Sequence, residues 1–180
     1  MQEHIYRPSA KRIFSQTFFI WLLVSTQVAA NIMIIPKFIN TNQGWGILFV
    51  NAVLGLITVP SVYSFINYYK YSKNKEFIVT YNTLKMFDTK NKQTIEINVE
   101  DIIKVELHQN LYPYSPFMNS APWSFQEYFC FIDKHMNKIV VTSYFMDIIE
   151  FWTDTLTRRV TSNKLVKFEH FLPLIKNSDR

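Results

Sequence analysis

The side chains able to do acid–base, nucleophilic or metal chemistry are few and scattered. Four histidines, His4, His108, His135 and His170, and one cysteine, Cys130, are spread along 180 residues with no pair at the short spacing that metal sites use. Glu100 and Asp101 are adjacent, but they stand at the entrance of a candidate strand, where a turn explains them. Residues 76–180 contain no glycine, which removes both a phosphate-cradling loop and a nucleophile elbow from that half. The "GWG" at 44–46 runs into an apolar stretch rather than into a helix opening on a nucleotide. These residues predict no catalytic group, no cofactor and no metal, and hence a non-enzymatic protein that acts on no small-molecule substrate.

The unusual chemistry is apolar instead. The segment "NLYPYSPFMNSAPWS", residues 110–124, holds three of the seven prolines, and no fixed charge occurs from Leu107 to Gln126. Tyr112, Tyr114, Phe117, Met118 and Trp123 form a candidate interaction loop, which either plugs its own domain or meets a bilayer interface or a partner. The prolines disfavour a regular strand and reduce the entropy lost when such a loop orders.

The elements that must position this loop begin with two apolar runs. Residues 13–35 and 45–68 each supply the roughly 20 apolar residues a membrane-spanning helix needs. The short turn "KFINTNQG" joins them. Val28 and Ala30 match the spacing of a signal-peptidase site, but the apolar run continues through Ile35, so a span is expected rather than a cleaved leader. Residues 1–75 carry seven basic side chains against Glu3 alone, whereas residues 76–180 are close to neutral. The basic excess therefore flanks the spans, which argues against nucleic-acid binding and, by the positive-inside rule, places both ends in the cytoplasm of an inner-membrane, multi-pass protein. The single cysteine suits a reducing compartment. Gln16, Gln27, Asn31 and Asn51 are amides within the spans, of which Gln27, Asn31 and Asn51 are candidate helix contacts together with Gly55, packed near Ala52. Neither span contains a charged residue or histidine, so an ion pathway is not expected. Pro60 is a candidate kink, and Tyr63, Tyr68, Tyr69 and Tyr71 a candidate aromatic belt.

From Glu76 the pattern turns to period two. "EFIVTY" and "TLKMFD" alternate around Asn82, a residue suited to a left-handed turn, and "QTIEINV", "DIIKVELHQ", "FQEYFCFID" and "KIVVTS" follow. Six antiparallel strands with one wet face are expected, with Ile103, Val105 and Leu107 facing the core. A seventh strand could lie near 110–118. In "SYFMDIIEFWTDTLTRRV", Phe145, Ile149, Trp152, Leu156 and Val160 share a helical stripe, which predicts an amphipathic helix capping the sheet. In the tail, Leu165, Phe168, Leu172 and Ile175 also fall on one helical face, packing either on the same domain or on the inner leaflet or a partner.

A helical hairpin, "FIVTYNTL", "EDIIKVELH", "NKIVVTS" and a closing helix together resemble the bacterial pleckstrin-homology-like membrane proteins over about residues 10–160. The resemblance implies a small, strongly bent antiparallel barrel of about six to seven strands capped by a C-terminal helix, and no catalysis. It divides the chain into an N-terminal segment (1–12), a transmembrane hairpin (13–69), a pleckstrin-homology-like domain (76–162) and an amphipathic tail (163–180). Phosphoinositide sites of that family use basic clusters in the first hairpin turn; here only Lys85 stands near it, with Lys90 and Lys92 in the next turn. The function expected is a membrane-anchored binding and assembly module that meets the bilayer and another membrane protein or itself. The alternative is an accessory subunit of a larger transport or secretion complex, packed through Gln27, Asn31 and Asn51.

Overall fold

A computed structural model describes residues 3–38, 44–110, 126–147, 164–170 and 173–175. A short strand β1 (His4–Tyr6) precedes two helices of 29 residues, α1 (Ala10–Phe38) and α2 (Gly44–Ser72). There follow β2 (Lys75–Val79), β3 (Thr83–Asp88), β4 (Gln93–Asn98), a 3-10 turn at Val99–Asp101, β5 (Ile102–Asn110), β6 (Tyr128–Asp133), β7 (Lys138–Thr142) and β8 (Leu165–His170). The strands form two four-stranded sheets, ordered β1-β2-β3-β4 and β7-β6-β5-β8. No ring of strands closes among the described residues.

β1 changes the reading of the first twelve residues. It pairs antiparallel with β2, His4 opposite Val79 and Tyr6 opposite Phe77, so the helical hairpin is inserted between two neighbouring strands of one sheet. Arg7 adds an ion pair to Glu76 at 2.8 Å. Both ends of the hairpin therefore return to the same sheet.

α1 and α2 contain stretches, Ala10–Met33 and Leu48–Ser72, long and apolar enough to cross a membrane. Phe18, Trp21, Ile32, Leu48, Phe49 and Leu56 are among the large apolar side chains exposed along them. Some hydroxyls inside these helices bond back one turn, as in Thr17 to the Ile13 carbonyl at 2.7 Å and Ser61 to that of Ile57 at 2.7 Å, which satisfies these two without an outside partner. Pro60 lies inside α2 without ending it.

The core lies between the sheets. Phe77, Leu84 and Met86 from the first meet Val105, Phe129, Phe131 and Ile139 from the second. Four details differ from the sequence expectation. The turn between β2 and β3 is built by Thr80, whose Oγ1 accepts from the Thr83 N–H at 3.0 Å, and left-handed backbone occurs at Lys92 and Met136 rather than at Asn82. A register shift between Ile102 and Lys104 sends Ile102 into the core and leaves Ile103 52% exposed, where unbroken alternation would have buried it. The tail residues Leu165–His170 form a strand parallel to β5, not a helix, because their alternation sets Phe168 and His170 beside His108 while Leu165 reaches the core. Ser143–Phe145, at the start of the expected capping helix, are a turn; Ile149, Trp152, Leu156 and Val160 lie outside the described residues.

The second sheet also has no fully wet face. Every residue of β6 is buried, because its odd-numbered rings point into the core while Tyr128, Cys130 and Ile132 pack on the helix ends. A near-continuous apolar strand is what burial on both faces demands.

Candidate functional site

Where the helices reach the domain, the first turns of α1 and the last turns of α2 meet the outer face of the second sheet. Tyr68 and Tyr71 of α2 pack with Tyr128, Cys130, Ile132, Val140 and Tyr144, and Ile13 of α1 and Phe65 of α2 border the cluster. Tyr68 lies edge-on to Tyr128 and Tyr144, with ring centroids 6.2 and 5.8 Å away. Aromatic pairs in this arrangement add about 0.5–1.5 kcal/mol beyond the area they bury.

Polar contacts ring this apolar patch. Tyr71 donates to the Val140 carbonyl at 3.2 Å, and the Ser72 and Thr142 hydroxyls meet at 2.9 Å. Gln16 of α1 donates to the Ser143 carbonyl and accepts from the Ser143 hydroxyl, both at 3.1 Å. The Ser64 hydroxyl donates to the buried Gln126 amide, two turns inside α2. Asn67 clasps the tail: its Oδ1 accepts from the Ile175 N–H at 2.9 Å and its Nδ2 donates to the Ile175 carbonyl at 3.2 Å. Leaving a buried polar group unbonded is costly, and each such pair fixes the register between hairpin and domain as well as contributing about 0.5–1.5 kcal/mol.

The β5–β8 half of the same outer face is polar. Lys104 bonds Glu106 at 2.7 Å, Glu106 meets His108 Nε2 at 3.2 Å, and His108 Nδ1 lies 2.9 Å from His170 Nε2. The His108 ring stacks on Tyr128 at 4.3 Å and on Phe168 at 5.0 Å. Burial pushes the Glu106 carboxyl upward, but hydrogen bonds from Lys104 and His108 outweigh it and hold the group below its ordinary value. Among the described residues no three His, Cys, Asp or Glu side chains are arranged to hold a metal ion.

Glu127 behaves in the opposite way. Burial, with the negative charge of Asp147 adding to it, raises its carboxyl to about 7. Because the folded group binds its proton more tightly than an unfolded carboxyl near 4.5, its contribution to stability is complete below about 4.5 and is lost as pH rises through about 7. Glu127→Gln is therefore expected to flatten stability over that window, the variant gaining on the native chain by at most about 3 kcal/mol. Denaturant titrations of both proteins at pH 5 and pH 8 check this; an unchanged difference would place Glu127 in water.

The sequence-nominated residues are distributed unevenly. Asn31 and Asn51 exchange two hydrogen bonds, at 2.8 and 2.7 Å, across the hairpin, and Thr58 donates to Gln27 at 2.7 Å. Gly55 does not serve close packing, since a Cβ there would meet nothing within 4 Å. Tyr63 and Tyr69 are exposed, but Tyr68 and Tyr71 belong to the domain interface rather than to a lipid belt. Lys85 is paired with Glu96 at 3.2 Å, and the turn bearing Lys90 and Lys92 is built by Asp88, which accepts from the Lys90 and Asn91 N–H groups. Of the tail, Leu165, Phe168 and Ile175 are placed by β8 and the Asn67 clasp. Leu172 and the loop residues Tyr112, Tyr114, Phe117, Met118 and Trp123 lie outside the described residues. The interface residues Ser64, Asn67, Ser72, Gln126, Tyr128 and Thr142 were not nominated. Their signal was the unbroken run "YFCFI", too apolar for a strand with one face in water.

No curated protein and no solved structure matches the chain. A family model described as a PH domain matches residues 5–153, a span that takes in most of β1, both helices and every strand through β7, and the chain thus belongs to the PH domain family.

Proposed function

We propose that this protein is a non-catalytic membrane module in which the helical hairpin crosses the bilayer and holds a PH domain against the cytoplasmic surface of an inner membrane, as a binding and assembly platform. The observation that carries the reading is the division of each helix. Among the described residues, Gln16 and Ser64 mark the innermost hydrogen bonds to the domain. Beyond them about 20 residues of each helix remain, about 30 Å at helical rise, which matches the hydrocarbon thickness of a bilayer. Exposed apolar side chains cover these free parts.

Two features together support this sidedness. β1 and β2 are paired although the hairpin separates them, so both hairpin ends occupy one side. Arg7, Lys11, Arg12, Lys70, Lys73 and Lys75 cluster at that end, against Lys37 at the other, which favours the cytoplasm for the domain. Lys75 rests over the Tyr71 ring at 3.4 Å, a cation–π contact at the domain end of α2. The aromatic segment 110–124 leaves from the end of β5 and returns at Gln126 beside Ser64, so its flanks stand at the membrane edge of the domain. Its uncharged rings suit the bilayer interface or a membrane partner. The accessory-subunit reading must recruit other groups, since Gln27, Asn31 and Asn51 are engaged within the hairpin.

A reporter fused after Arg180, combined with alkaline extraction of membranes, tests the proposal. Retention in the membrane pellet with a cytoplasmic reporter is expected. Release into the supernatant, or a reporter on the far side, would overturn it.

A further inference from the structure

The C-terminal segment is seated like a ligand. Ile175 is 2% exposed within the cluster of Tyr68, Tyr128 and Tyr144, and Pro173 beside it is buried as well. The two hydrogen bonds from Asn67 reproduce what a neighbouring strand residue would give Ile175, one accepted from its N–H and one donated to its carbonyl. Tyr128 donates to the carbonyl of Leu174 at 3.3 Å. Proline has no N–H, so Pro173 needs no acceptor partner in this crevice. Backbone groups are thus read by side chains from both the helix and the sheet, while specificity rests on one aliphatic side chain, the arrangement by which grooves bind extended peptides.

We propose that the crevice between the end of α2 and the outer face of the second sheet is a binding site for an extended apolar peptide, and that its ligand is this chain's own segment Pro173–Ile175, which latches the domain to the hairpin. Asn67 belongs to the hairpin and Tyr128 to the domain, so a peptide bonded to both closes the joint between them. β8 supports the latch on its other side through the His170–His108 hydrogen bond and the Phe168 ring.

Cys130 gives a native probe, because the chain's one cysteine is fully buried in the same cluster. In the full chain, Ile175→Ser is expected to raise the rate of Cys130 alkylation by a maleimide at least about tenfold, while amide exchange in β2 and β3 stays as in the native protein. A synthetic peptide with the sequence "HFLPLIKNSDR", added in excess, is expected to slow the alkylation again. A native rate in the variant, or no protection by the peptide, overturns the proposal. If Ile175→Ser also loosens β2 and β3, Asn67→Ala carries the test. It keeps the tail's side chains and removes only the clasp: faster alkylation with native β2–β3 exchange supports the latch, and a native rate overturns it.

Discussion

Phe131→Ala is expected to destabilise the domain by about 3–5 kcal/mol, a large part of the roughly 5–15 kcal/mol that holds a domain of this kind folded. Phe131 is fully buried at the centre of β6, facing the first sheet, with the Phe129 ring 5.7 Å away. It is paired with Val105 on one side and Ile139 on the other, both in the same core. A strand with neighbours on both edges and packing on both faces has little room to collapse into the vacated space, so the cavity term adds to the lost transfer free energy. Chemical denaturation of the purified full chain measures the change. Phe131→Leu, which refills most of the volume, is expected to recover more than half of it, and a loss under 1 kcal/mol for Phe131→Ala would place β6 outside the core.

Removing the hairpin is expected to be more damaging than losing a tether. A chain beginning at Lys75 lacks β1 and uncovers Tyr128, Cys130, Ile132, Val140 and Tyr144 together. Each large apolar side chain moved into water costs about 1.5–3 kcal/mol, so the fragment loses several kcal/mol and presents a contiguous apolar patch. It is expected to aggregate, or to unfold, rather than run as a soluble monomer on size exclusion. A well-behaved monomeric fragment would mean that the sheet's outer face tolerates water and that the hairpin contributes little to the fold.

How much of this could be read from the sequence depends on the range of the interaction. The two helices and β2 to β7 are set by local composition and period, and they were legible. β1 was not, because three residues carry no usable periodicity and His4 finds its partner Val79 only in the folded sheet. The tail was read with the wrong period: Leu165, Phe168 and Leu172 satisfy a three-to-four spacing, and only the presence of His108 and Tyr128 on the neighbouring strands turns Phe168 and His170 into one face of a strand. The joint between hairpin and domain was hidden for a third reason. Its residues are tyrosines, serines and asparagines that look like belt or surface chemistry until Ser72 meets Thr142 and Asn67 meets Ile175.

The central claim is that the hairpin and the PH domain form one packed body rather than an anchor and a free module. Ser72 and Thr142 test it most directly, since their hydroxyls lie 2.9 Å apart with α2 on one side and β7 on the other. In a Cys130→Ala background, the pair Ser72→Cys and Thr142→Cys is placed in the full chain, reconstituted in lipid vesicles and mildly oxidised. Mass spectrometry of the digested protein is expected to find the two peptides joined within one chain, in most molecules. Absence of that disulfide, or its formation only between chains, would contradict the account.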